Sequence, residues 1–297
     1  MAPELKSDKL PRKTKLFYGI GDLGNAVVNS AIQFFLMKFY TDGALVSPAL
    51  AGNALLIGKI WDAVNDPLFG WFTDRTQSRH GKRRVFMLFG AIPLAIAIAL
   101  LWFVPQADRI WTFVWIAATF LLFDTIWTLT NVPYYSLTSE LTDDYDERSS
   151  LTAYRMVMAV PAYLVGAALT PAIVGLFALQ RTGYAFIGIA YGLFAAVALL
   201  ISAAGIRERK SLAVAKPEAS PIKSLLVALK NRPFVWLCGA YFVINLSFAF
   251  IKTLMAYYIE YQLLMKAETT LVMGLMLICV TISLPFWQWV SRKMDKG

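Results

Sequence analysis

Eight long runs of apolar residues, separated by polar or charged stretches, divide the chain at about 16–40, 49–72, 85–104, 110–136, 152–177, 183–206, 233–262 and 268–290. Each is about 20 residues or longer, the length an α-helix needs to cross a hydrocarbon layer roughly 30 Å thick. In lipid a backbone must satisfy its own hydrogen bonds. The pattern therefore predicts an all-α polytopic membrane protein with about eight transmembrane helices. The connections sort the runs into a six-helix bundle over 1–206, a linker over 207–232 that holds Pro217 and Pro221, and the first two helices of a second bundle over 233–297. Segments 67–73 (PLFGWFT) and 285–291 (PFWQWVS) end the second and eighth runs and echo one another. Such an echo suits a carrier built from repeated halves.

Polar residues interrupt three of the runs at helical spacing. The second holds Lys59, Asp62 and Asp66 on one face, with the two carboxylates one turn apart. Each charge costs about 2.5 to 3.5 kcal/mol at the centre of a membrane helix. Two anions about 6 Å apart repel by a further ~3 kcal/mol at an effective dielectric constant near 20. A proton, a metal cation or a basic partner is needed to hold such a pair. The first run brings Asp22, Asn25, Asn29 and Gln33 to one face, and the fourth brings Asp124, Thr128, Asn131 and Tyr135. Arg155 opens the fifth run, and Asn245 and Lys252 share a face of the seventh. Pro133, Pro161 and Pro171 inside runs mark bends whose freed carbonyls neighbouring helices can satisfy.

Composition agrees with this reading. Over 297 residues, 58% are hydrophobic and only 16% charged, against about a quarter charged in an ordinary soluble domain. The net charge of +9 sits in the connections and not on a basic, aromatic-interleaved face, so nucleic acid is not an expected partner. Lys and Arg number five before the first run, five after the second, seven after the sixth and three after the eighth, against Arg109, Arg181 and Lys266 in the opposite loops. The positive-inside rule then sets both termini in the cytoplasm. The acidic connection 139–150, SELTDDYDERSS, is cytoplasmic in this scheme too, since acids weigh little in the rule. Cys238, Cys279 and the single His80 build neither a disulfide framework nor a His/Cys metal cluster. No nucleophile, base and orienting group stand at workable spacings, so an enzyme is not expected.

Four stretches carry a family resemblance: FYGIGDLGN at 17–25, IWDAVNDPLFGW at 60–71, TDRTQSRHGKRR at 73–84 and NVPYYSLTSELTDDYDER at 131–148. Together they resemble the glycoside-pentoside-hexuronide:cation symporters of the major facilitator superfamily. The resemblance implies a twelve-helix fold, of which this sequence holds about eight helices and lacks the last four. It also implies a bacterial inner-membrane location, no cofactor, and a sodium ion, lithium ion or proton as the coupling ion. Carried over by position, Asp62, Asn65, Asp66 and Thr128 match the cation site. Tyr135 matches an aromatic residue that stacks on sugar, and Arg155 an arginine near the bound sugar. Asp22, Asn25, Asn29 and Asn131 complete the expected substrate stripe. Lys59 stands where many members have arginine. Asp74, Arg75, Gly81, Lys82, Arg83 and Arg84 resemble the superfamily's loop signature, which latches the two halves. Ala26 and Asn131 replace carboxylates that galactoside carriers use, and Asp22 lies one turn before Ala26. A sugar other than a galactoside, or a uronide, therefore suits the site as well.

The expected function is cation-coupled sugar or glycoside symport by alternating access. Two alternatives stand beside it. One is cation-coupled transport of a lysolipid or other amphiphile on the same fold. The other is a non-transporting truncated membrane protein or scaffold in which the polar stripes are relics.

Overall fold

A computed structural model describes residues 9–76, 78, 79, 81–206, 208, 230–265, 268–276, 278, 279, 282 and 283. His80, most of the linker, Lys266 and the 285–291 echo lie outside the described residues. Helix α1, Arg12–Ala31, continues through two wider π-type turns, Ile32–Leu36 and Phe39–Gly43. It is followed by α2, Pro48–Arg75; α3, Arg84–Leu101; α4, Arg109–Leu141; α5, Tyr145–Val174; and α6, Gln180–Gly205. Helix α7, Arg232–Tyr257, ends in a π-type turn, Tyr258–Gln262, and residues 269–276 are helical as well. Among the described residues there is no strand. Helices α3 to α7 are long and apolar enough to cross a membrane by length and composition. The polar stripes lower the hydropathy of α1 and α2, which are of comparable length. The molecule is thus an all-α polytopic membrane protein.

Local chemistry sets the helix starts. Pro48 takes the first position of α2, where an absent N–H is no loss. The Asp108 carboxylate accepts from Trp111 N at 3.2 Å to start α4. Asp144 accepts from the backbone N–H groups of Asp146 and Glu147, at 2.8 and 3.3 Å, to start α5. That cap corrects one expectation: most of the acidic stretch 139–150 is helical, and only residues 142–144 separate α4 from α5. Hydropathy falls there before the helices end, so apolar length alone truncates both.

Helix α1 packs against α5 and α6, α3 against α4 and α6, and α2 against α4. Small residues allow the tight crossings. A Cβ on Gly192 of α6 would lie 2.7 Å from the Ala95 carbonyl oxygen of α3. Gly192→Val should therefore cost about 1–3 kcal/mol through overpacking, read as a lower unfolding temperature in detergent. An unchanged transition would contradict the crossing. Elsewhere on α6, Phe186, Ile189, Leu193 and Val197 are exposed, as a lipid-facing surface requires.

Helix α7 meets the first six helices at the end of α1. Lys38, 6% exposed, pairs with Asp42 at 2.7 Å and with Glu260. Its ammonium lies 5.4 and 5.2 Å from the ring centroids of Tyr257 and Tyr261. Thr41 and Tyr257 share a hydrogen bond of 2.7 Å, and Tyr261 donates to Asp42 at 3.0 Å. The Lys38–Asp42 spacing of four residues is visible in the sequence, whereas the contact with α7 depends on tertiary packing.

Candidate cation and substrate sites

The α2–α4 contact brings the expected cation ligands together in pairs. Thr128 Oγ1 donates to Asp66 Oδ1 at 3.0 Å. Asn65 is fully buried and turns its Nδ2 to the Asp124 carboxylate and to the Asp124 backbone oxygen, both at 3.2 Å. Lys59 donates to Asp62 at 3.2 Å on a more exposed part of the face and lies 5.7 Å from the centre of the Phe120 ring. Among the described residues no three His, Cys, Asp or Glu side chains gather closely enough to hold a metal ion on their own. Any ion held here uses at most two acids together with amide and hydroxyl oxygens. Oxygen donors of this kind suit a hard cation.

The expected substrate stripe converges only in part. Arg155 of α5 donates through Nε to Asp22 Oδ2 of α1 at 2.9 Å. Its guanidinium lies 4.5 Å from the centre of the Tyr135 ring, and Tyr135 donates to Asp22 Oδ1 at 3.4 Å. Tyr135 remains 43% exposed, which leaves its ring available to a ligand. Asn25 donates to Asn131 across α1 and α4 at 2.5 Å, and Asn131 donates to the Trp127 carbonyl at 3.1 Å. Asn29 belongs to a separate group further along α1, where it accepts from Gln33. Gln33 accepts in turn from Tyr163 at 3.1 Å. Lys252 of α7 lies 5.8 Å from the Tyr163 ring centre, while Asn245 donates to Tyr241 within its own helix. A cleft of about 850 Å3 among Leu45, Asp108, Arg109 and Arg181 shares no residue with these groups.

The loop signature folds onto the first six helices. Arg83 pairs with Asp74 of α2 and, at 2.8 Å, with Glu140 of α4, and donates to Thr73 at 3.0 Å. Lys82 lies 3.9 Å from Asp74, Arg84 donates to the Ala203 carbonyl at 2.7 Å, and Arg75 stacks on Trp71 at 3.8 Å. Glu208, just after α6, accepts from the backbone N–H groups of Lys82, Arg83 and Arg84 at 2.5, 2.8 and 2.6 Å. The carboxylate thus sits at the N-terminus of α3, where the helix dipole favours it. Gly81, at φ +104°, has this carboxylate where a Cβ would stand, 2.8 Å away. Sequence reasoning missed Glu140 and Glu208. A lone acid within the basic run 207–210 is the trace that Glu208 leaves.

Comparison with known proteins accords with this architecture. The chain matches the MFS/sugar transport protein family over residues 17–296. It is 36% identical over 224 residues to an uncharacterized symporter of Synechocystis, covering 73% of this chain and 41% of that protein. It is 31% identical over 233 residues to a protein of Escherichia coli named a glycoside/cation symporter, covering 78% of this chain and 50% of that one. A sodium-dependent lysophosphatidylcholine symporter of Danio rerio is 27% identical, covering 99% of this chain and 63% of its own length. The chain spans about half the length of the relatives it matches. It belongs to the MFS/sugar transport protein family, and the resemblance of its motifs to major facilitator glycoside–cation symporters is borne out.

Proposed function

We propose that the protein, in the membrane-embedded form its relatives take, is a secondary carrier that couples entry of a sugar or glycoside to a monovalent cation. The observation that carries this reading is Asp66: an exposed carboxylate on α2, bonded to Thr128 of α4 and paired with no basic side chain among the described residues. Inside a membrane-spanning bundle such a charge is costly without a counter-ion. The ion, held by Asp66 and Thr128 with Asn65 and Asp62 beside them, stabilises the form that accepts substrate at Asp22, Asn25, Asn131, Tyr135 and Arg155. Coupling follows because a ligand shifts an equilibrium only by its preference for one state. Residues 1–206 act as one rocking bundle and 233–297 open the second, joined by 207–232. The signature residues Asp74, Arg75, Gly81, Lys82, Arg83 and Arg84 face the cytoplasm, on the side of both termini, and take part in latching the halves.

A second reading, transport of a lysolipid, is favoured by the similarity to a lysophosphatidylcholine symporter along almost the whole chain. Uptake of radiolabelled monosaccharides, glycosides and lysophosphatidylcholine into proteoliposomes, under sodium and proton gradients separately, distinguishes the two. Sodium- or proton-stimulated uptake of a sugar, competed by free sugars, is the expected result. Stimulated uptake of the lysolipid alone would replace the sugar by an amphiphile. No stimulation of any solute would refute symport.

A further inference from the structure

The connections that join α1 to α2, α3 to α4 and α5 to α6 lie at the end of the bundle opposite the loop signature, because successive membrane helices alternate in direction. Basic residues are scarce on that side, where the sequence places only Arg109, Arg181 and Lys266. Two of the three line one cleft. It has a volume of about 850 Å3 and is bounded by residues 44–47 before α2, residues 104–108 before α4, and Arg181 at the start of α6. Small-molecule sites occupy about 300–1,000 Å3, so the cleft is large enough to hold a ligand. The Arg181 guanidinium donates to the Val104 carbonyl, which fixes its orientation, and Arg109 is exposed. Neither arginine pairs with a carboxylate among the described residues. Asp108, the one acid in the lining, already accepts from Trp111 N at 3.2 Å as the cap of α4. Two positive charges thus stand against one negative. Such a cleft suits an anion, and guanidinium forks match the oxygens of a phosphate.

The rim of the cleft is apolar. Leu45, held at φ +57°, is 85% exposed, and Phe103, Ile110 and Trp111, next in sequence to lining residues, are exposed as well. A freely soluble anion gains nothing from such a rim, whereas a lipid with a charged head and apolar tails uses both surfaces. Exposed tryptophan at the end of a membrane helix also sets the cleft at headgroup level. We propose that the cleft binds the phosphodiester headgroup of an anionic phospholipid from the leaflet on that side. Arg109 and Arg181 hold the phosphate oxygens, Ser47 adds a hydroxyl donor, and the acyl chains run along Leu45, Ile110 and Trp111. A zwitterionic lipid would bring its own cation into a cleft that is already positive, so the site selects phosphatidylglycerol over phosphatidylcholine. The bound lipid joins the residues before α2, before α4 and at the start of α6, and so braces the first bundle at the end away from the loop signature.

The test is native mass spectrometry of the full chain in detergent, titrated with phosphatidylglycerol, with phosphatidylcholine and, as a soluble probe, with glycerol 3-phosphate. One phosphatidylglycerol should be retained about tenfold more tightly than phosphatidylcholine, and Arg109→Gln should lower that affinity about tenfold, the loss of one charge-assisted hydrogen bond. The Arg109 side chain makes no hydrogen bond or ion pair among the described residues, so Arg109→Gln should unfold at an unchanged temperature in lipid-free detergent. Arg181→Gln should weaken retention as well, and may be read against Arg109→Gln because it also loses the Val104 bond. Equal retention of the two lipids, or phosphatidylglycerol held undiminished by Arg109→Gln, would overturn the site. Displacement of the lipid by glycerol 3-phosphate at a matching concentration would overturn the lipid in favour of a soluble phosphate. Lipid retention is measured without any transported solute, so its outcome is independent of the proposed function.

Discussion

Asp66→Asn is expected to abolish sodium-stimulated uptake while the protein still folds. Asn is nearly isosteric with Asp and keeps an oxygen that can accept from Thr128, 3.0 Å away in the native pair. The helix contact therefore survives. What is lost is a full charge. A carboxylate about 4 Å from a monovalent cation contributes about 4 kcal/mol at an effective dielectric constant of 20, which is about a thousandfold in ion affinity. Uptake rate against sodium concentration should become flat over the range that saturates the unmodified carrier. Undiminished stimulation in a well-folded Asp66→Asn protein would refute the assignment of the ion to this residue.

Arg155→Met is expected to destabilise the protein and to abolish substrate binding. The Arg155 and Asp22 side chains are 15% and 8% exposed and meet at 2.9 Å. Removing one partner of a buried pair leaves the other charge uncompensated, at a cost of about 3–5 kcal/mol. Replacing both by neutral groups of similar size avoids that cost. The double variant Asp22→Asn with Arg155→Met should therefore unfold at a temperature close to that of the unmodified protein, yet still fail to bind substrate. Arg155→Lys should keep most of the stability but lose the planar contact over Tyr135, and so weaken substrate binding more than folding. A double variant no more stable than Arg155→Met alone would show that Asp22 is not the partner that matters.

How much of this was legible in the chain follows from the physics of each feature. Lipid forbids unsatisfied backbone, so the apolar runs specify the helices almost by themselves. Their ends need caps, and the cap at Asp144 lies in an acidic stretch without an apolar signal, where hydropathy alone predicts a connection. The polar stripes were legible as faces because a helix repeats its angle residue by residue. The partners across helices were not. Periodicity puts Asp124 on the same stripe as Thr128, but that Asn65 turns to Asp124 and not to Asp66 depends on how α2 packs on α4. Asn29 shares the stripe of Asp22 and Asn25 and yet joins Gln33 and Tyr163 instead, because α1 carries its far end towards a different part of α5. Glu140 and Glu208 anchor the loop signature from positions 57 and 124 to 126 residues distant from the groups they bind, a separation that no local pattern encodes.

The central claim is that a cation gradient drives solute across the membrane. The most direct measurement is solute accumulation in sealed proteoliposomes carrying the protein, with an inward sodium or proton gradient and no solute gradient. The account predicts accumulation above the outside concentration, collapsing when an ionophore dissipates the gradient, and absent with Asp66→Asn. Equilibration to equal concentrations, at a rate and extent indifferent to either gradient, would contradict it.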